Sequence, residues 1–174
     1  MTWHTFHRRG DVLRAVVNEA NLRCDGVLPS DVPGVSETFA DDLDLIGSLQ
    51  LRWHTALAGH IETALGEQPD DLEEAVMQAW RDAADALPGV RAVLDARRVE
   101  PGSDRIAAAM LTATAKEHQM LALMAGRASH LDVEERGTRV GAQLERTARE
   151  GHELRGHVAQ PRTFLDRIKA ALVA

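Results

Sequence analysis

An all-α fold is the class this sequence predicts, and three observations carry it. Ala and Leu lead the apolar residues, and both are strong helix formers. Aromatic residues are 3% of the chain and Tyr is absent, so residues that favour sheets are scarce. Between breaks rich in Pro and Gly, apolar residues recur at spacings of three and four, the period of a helix face. Together they predict an antiparallel bundle of about four long helices with extra N- and C-terminal helices.

The elements follow in order. After Asp11, an N-cap type, Val12, Leu13, Val16, Val17 and Ala20 mark a helix to about Arg23. Pro29, Pro33 and Gly34 exclude regular helix through residue 35. A long helix is expected from about Ser36 to Gly66, with Phe39, Leu43, Ile46, Trp53, Leu57, Ile61 and Ala64 on one stripe. Pro69 suits a first helical turn, and Asp70 with Glu73, or Asp71 with Glu74, supplies a cap and its reciprocal partner. Leu72, Val76, Ala79, Trp80, Ala83 and Leu87 line that helix, which Pro88-Gly89 ends. Val90, Val93 and Leu94 suggest one or two more turns before Pro101-Gly102.

Ser103 caps the next helix, whose stripe reads Ile106, Met110, Thr114, Glu117, Leu121, Met124, Ala128. Ser129 or Asp132 opens a further helix bearing Val133, Gly137, Val140, Leu144, Ala148 and Gly151, small enough for a neighbouring backbone to come close. Pro161 breaks the pattern, and Leu165, Ile168 and Leu172 mark a last amphipathic helix. No 20–50-residue repeat or low-complexity linker appears, so residues 1–174 read as one domain. Within it, 1–35 is an N-terminal helix and loop, 36–160 the bundle core, and 161–174 the C-terminal helix.

Charge narrows the partners. Lys and Arg number 20 against 27 Asp and Glu, a net charge of −7, and no basic run exceeds two residues before the C-terminal stretch. A nucleic-acid partner is therefore not expected, because displacing counterions from phosphates needs a basic face. No apolar run approaches the roughly 20 residues of a membrane span, and the N-terminus lacks the apolar centre of a signal peptide. Cys24 is the only cysteine, which excludes an internal disulfide. The expectation is a soluble, cytoplasmic protein.

Catalytic signatures are missing. There is no glycine-rich phosphate loop, no Gly-x-Ser-x-Gly elbow and no HExxH helix. Ferritin-like bundles place His three residues after Glu, and no Glu here has that neighbour. Hemerythrin-like bundles space His and carboxylates along their helices. Here only His130–Glu134 has His four residues before Glu, and it sits at a helix junction. The likeness to both families is one of outline alone.

The informative signal is polar residues on apolar stripes. At about 100° per residue, Gln50 and His54 fall inside the arc of the Trp53 stripe. Glu117 takes a position that the Met110–Leu121–Met124 stripe reserves for an apolar residue, with Thr114 on the same face and His118 on its flank. A buried carboxylate needs a partner. His54 or His118 is the simplest candidate, and Arg52 or Arg127 the next. A metal held by His54, Glu117 and His118, with Gln50 or Thr114 behind them, is the third; such nitrogen and oxygen ligands suit zinc, iron or manganese. Trp53 and Trp80 are expected as core anchors on facing helices, and His130, His152 and His157 as surface residues. Trp3, His4 and His7 read as a frayed terminus rather than a metal chelate.

Three functional readings follow. The first is a non-enzymatic structural or interaction protein with a buried polar cluster and no cofactor. The second is a metal-binding bundle centred on Glu117. The third is a small-molecule enzyme using Glu117 or His54 as acid or base. A two-fold homodimer is expected, through the glycine-bearing face of 133–151 or the apolar strip of the C-terminal helix.

Overall fold

A computed structural model describes residues 3–156, with side chains described from residue 8 to residue 152. The order is α1 (Trp3–Arg23), α2 (Val35–Thr38), α3 (Asp42–Gly66), α4 (Leu72–Ala86), α5 (Pro88–Val99), α6 (Asp104–Met124), a π turn (Val133–Gly137) and α7 (Thr138–Gly156). No strand occurs among the described residues, so the all-α class holds. No helix among them is long and apolar enough to cross a membrane. The C-terminal helix expected over 161–174, and His157, lie outside the described residues.

The helices α3, α4, α7 and α6 pack in that cyclic order, each against the next and α6 back on α3. The α3–α4 and α6–α7 pairs are antiparallel hairpins. Inside the ring, Leu45, Ile46, Leu49, Trp53, Leu57 and Ile61 of α3 meet Val76, Ala79, Trp80 and Ala83 of α4. The indoles of Trp53 and Trp80 meet edge to face, 5.8 Å between centroids, as core anchors on neighbouring helices. α5 lies against α3, α4 and α6, and α1 covers α5 from outside.

Several boundaries differ from the sequence expectation. The helix expected to begin after Asp11 starts at Trp3. The long helix expected over 36–66 is interrupted at Phe39–Asp41. Asp41 is extended and its side chain accepts the Asp44 N–H at 2.9 Å, which starts α3 afresh, while Phe39 turns into the core. Asp71 caps α4 in the same way at 3.0 Å from the Glu74 N–H, so Pro69 precedes the helix rather than opening it. Ser103 caps α6 as expected. Met124, expected on the inner stripe, ends α6 and is exposed, because Gly126 turns the chain with φ at +68°.

The largest difference is α5. The stretch expected to hold one or two turns is a 12-residue helix with Pro88 in its first turn. Its first N–H groups are satisfied from α1: Asn21 Oδ1 accepts from Gly89 at 3.0 Å and from Val90 at 3.3 Å. Gly89 is required there, since a Cβ would lie 1.8 Å from the Ala20 carbonyl oxygen. A second close approach joins α6 to α7. At Gly141 a Cβ would sit 1.9 Å from the His118 carbonyl oxygen. On α7 it is Gly141 that admits a backbone, and the neighbour belongs to the same chain; Gly137 and Gly151, expected to do so, meet the side chains of Val133 and Ala128 and of Arg81 instead.

Candidate functional site

The site is built from three helices. On α5, Arg91, Asp95 and Arg98 stand four and three residues apart and so share one face. On α7, Glu145 and Arg149 are one turn apart. On α6, Glu117 sits at the apolar position flagged in the sequence and is fully buried. α5 packs on α6, and α6 on α7, so these faces meet.

Glu117 receives donors from two helices. Trp80 Nε1 of α4 lies 3.4 Å from Oε1, Arg91 Nη1 lies 3.4 and 3.5 Å from the two oxygens, and Arg98 Nη2 is 3.2 Å from Oε2. Arg98 then bridges to α7, its Nη1 donating to Glu145 Oε1 at 2.7 Å. The other Glu145 oxygen is 2.6 Å from His118 Nε2. Arg149 donates to Glu145 Oε1 at 2.6 Å and holds Asp95 through two bonds of 2.8 and 2.7 Å, a bidentate clamp from α7 to α5. Arg91 Nη2 closes the circuit 2.9 Å from Asp95 Oδ1.

Three guanidiniums therefore face three carboxylates, and their charges sum to zero. Tryptophans roof the set: the Arg91 guanidinium lies 4.7 Å from the Trp53 ring centre and that of Arg149 lies 4.9 Å from Trp80. Donors are in excess. The Nε–H groups of Arg91 and Arg98 and the Trp53 indole N–H are buried without an acceptor among the described residues.

The electrostatics follow from this packing. Burial alone would raise the Glu145 carboxyl; the His118 hydrogen bond and the charges of Arg98 and Arg149 overcome it and hold the group far below the usual carboxylate range. Burial pulls Arg91 below the ordinary arginine value, against the attraction of Glu117 and Asp95. Arg149 moves the other way: burial would lower it, but its bonds to Asp95 and Glu145 raise it.

Of the residues singled out in the sequence, Glu117 and His118 belong to this cluster. Thr114, Gln50 and His54 do not: each is half-buried and hydrogen-bonds to no described residue through its side chain. The arginines named as partners are elsewhere, Arg52 exposed on α3 and Arg127 paired with Glu73. Nor do His54, Glu117 and His118 form one ligand set. No group of three or more His, Cys, Asp or Glu side chains placed to hold a metal occurs among the described residues. Neighbouring residues on a helix point about 100° apart. Glu117 accordingly turns to α4 and α5, while His118 turns to Glu145 on α7.

Sequence reasoning missed Arg91, Asp95, Arg98, Glu145 and Arg149. The signal for the first three is their own spacing on one face, which shows only once residues 88–99 form a full helix. His130 is exposed, as expected, whereas His152 is half-buried, 2.8 Å from Asp85 and edge-on to Trp80. Compared with family models, with curated proteins and with solved structures, the chain matches none of them.

Proposed function

We propose that this is a non-enzymatic helical-bundle protein that acts through its surface, with the buried cluster as the lock that sets the register of α5, α6 and α7. The observation that carries this reading is the commitment of Glu117. Its two oxygens are taken by Trp80, Arg91 and Arg98, so neither is left for substrate or metal. A general base needs a free lone pair within reach of the proton it removes. A structural network needs its charges paired, as they are here. A cytoplasmic location belongs to the same reading, since Cys24 is an exposed free thiol.

Elemental analysis of tag-free protein tests the proposal against the metal-binding alternative. Zinc, iron and manganese are each expected far below one equivalent per chain. One equivalent of any of them, lost in Glu117→Gln while the protein stays folded, would overturn it.

A further inference from the structure

On the side of α3 away from the core, Gly47, Leu51, Arg52, Thr55, Gly59 and Glu62 are exposed. Leu51 is 67% exposed, a large apolar side chain standing in the middle of this face. Gly47 and Gly59 lie inside a helix, where glycine is less favourable than Ala. The tight glycines Gly89 and Gly141 have their close neighbours within the chain, but a Cβ at Gly47 or Gly59 would meet nothing within 4 Å. Beside Leu51, a cavity of about 330 Å³ opens between α1 and α3, its apolar wall made by Gly10, Leu13 and Leu51.

The charges on this face say what would cover it. Arg52 and Glu62 are opposite in sign, and neither has a hydrogen bond or ion pair with a described residue. They stand ten residues apart, about 15 Å along the helix. A second α3 laid antiparallel, with a two-fold axis at the level of residue 57, brings Arg52 opposite Glu62 of the partner subunit, and the symmetry makes the same pair twice. Leu51 then lies level with Thr63 of the partner subunit, and Thr55 level with Gly59 of the partner subunit, where the missing Cβ of glycine lets two helices approach. Parallel copies would instead set arginine against arginine.

We propose that this face of α3 binds a second copy of the chain, antiparallel, with Arg52 paired to Glu62 of the partner subunit and Leu51 packed against Thr63 of the partner subunit. The inference rests on the reading of the protein as one that acts through its surface. The two fail separately, because the metal assay reports on the core and chain mass reports on α3. The test is a charge swap followed by light scattering on purified protein at tens of micromolar. The unaltered protein is expected at twice the mass of one chain. Arg52→Glu and Glu62→Arg are each expected at the mass of a single chain with unchanged helical circular dichroism. The double variant R52E/E62R is expected to return to twice that mass. A monomeric unaltered protein, single variants that stay dimeric, or a double variant that stays monomeric would each overturn the proposal.

Discussion

Two seams of the molecule are held together by opposite means. Between α3 and α4 the contact is apolar, an edge-to-face pair of tryptophans set among Leu, Ile, Val and Ala. Among α5, α6 and α7 the helices are joined by ions, with three arginines against three carboxylates and a histidine at the margin. The apolar seam tolerates any packing that fills the space. The ionic seam is satisfied in one register only, because each guanidinium must reach its own carboxylate. Deleting a side chain from either seam is costly, but the losses differ in how they can be repaired.

Removing Glu117 breaks the ionic seam most severely. Glu117→Ala leaves Arg91 and Arg98 facing an empty site, and an unpaired buried charge costs about 3–5 kcal/mol. Trp53→Ala should cost about as much, roughly 3–5 kcal/mol, through lost burial and the cavity left behind. The second substitution separates the two. Glu117→Met combined with Arg91→Leu leaves Arg98 on Glu145 and Asp95 on Arg149, and removes both ions of the central pair. That double variant is expected to recover to within about 1–2 kcal/mol of the natural protein, since apolar replacement of a buried pair is often neutral. Urea unfolding followed by circular dichroism checks all three. A double variant no more stable than Glu117→Ala would mean that the pair itself contributes net stability.

Acid should affect the two seams differently. Glu145 is held below its ordinary value of 4.5, so it binds fewer protons folded than unfolded in that range. A depressed carboxyl contributes stability that is fully present above the unfolded value and is lost as pH falls through the folded one. Stability should therefore fall progressively below about pH 4.5. Glu145→Gln should lower stability at neutral pH and flatten that acid limb, whereas Trp53→Ala should leave its slope unchanged. Thermal melts from pH 3 to pH 7 measure both. An acid limb equally steep in Glu145→Gln would assign it to other carboxylates.

The same contrast explains what was legible in the sequence. Apolar periodicity is a local signal, and it located α3, α4, α6 and the facing tryptophans. It also exposed Glu117, because one carboxylate in an apolar stripe is conspicuous. The partners of Glu117 were not legible. Arg91 and Arg98 lie 26 and 19 residues away, and Arg98 meets Glu145 across 47. No spacing rule within one helix connects them. His54 sits one residue from Trp53, yet the indole is fully buried and the imidazole is at the edge, a distinction finer than a helical wheel draws. The break before α3 was missed for a different reason: Phe39 continues the apolar spacing although its backbone is extended.

That break makes the smallest prediction, and its sign carries the information. In an unbroken helix over 36–66, Asp41 would be an interior residue, and Asp41→Ala would stabilise, because Ala is the better helix former. In the structure Asp41 is the N-cap of α3. One of its oxygens accepts the Asp44 N–H and the other lies 3.3 Å from Arg105 Nη1 of α6. Asp41→Ala then leaves an N–H of the first turn without its acceptor, for a loss of about 1 kcal/mol. The Arg105 contact adds little, since both side chains are well exposed and such surface pairs are worth about 0–1 kcal/mol. Arg105→Ala separates the two contributions: it removes the ion pair and keeps the cap, so its loss should be well below that of Asp41→Ala. Thermal unfolding of both variants decides, and a stabilised Asp41→Ala would restore the continuous helix.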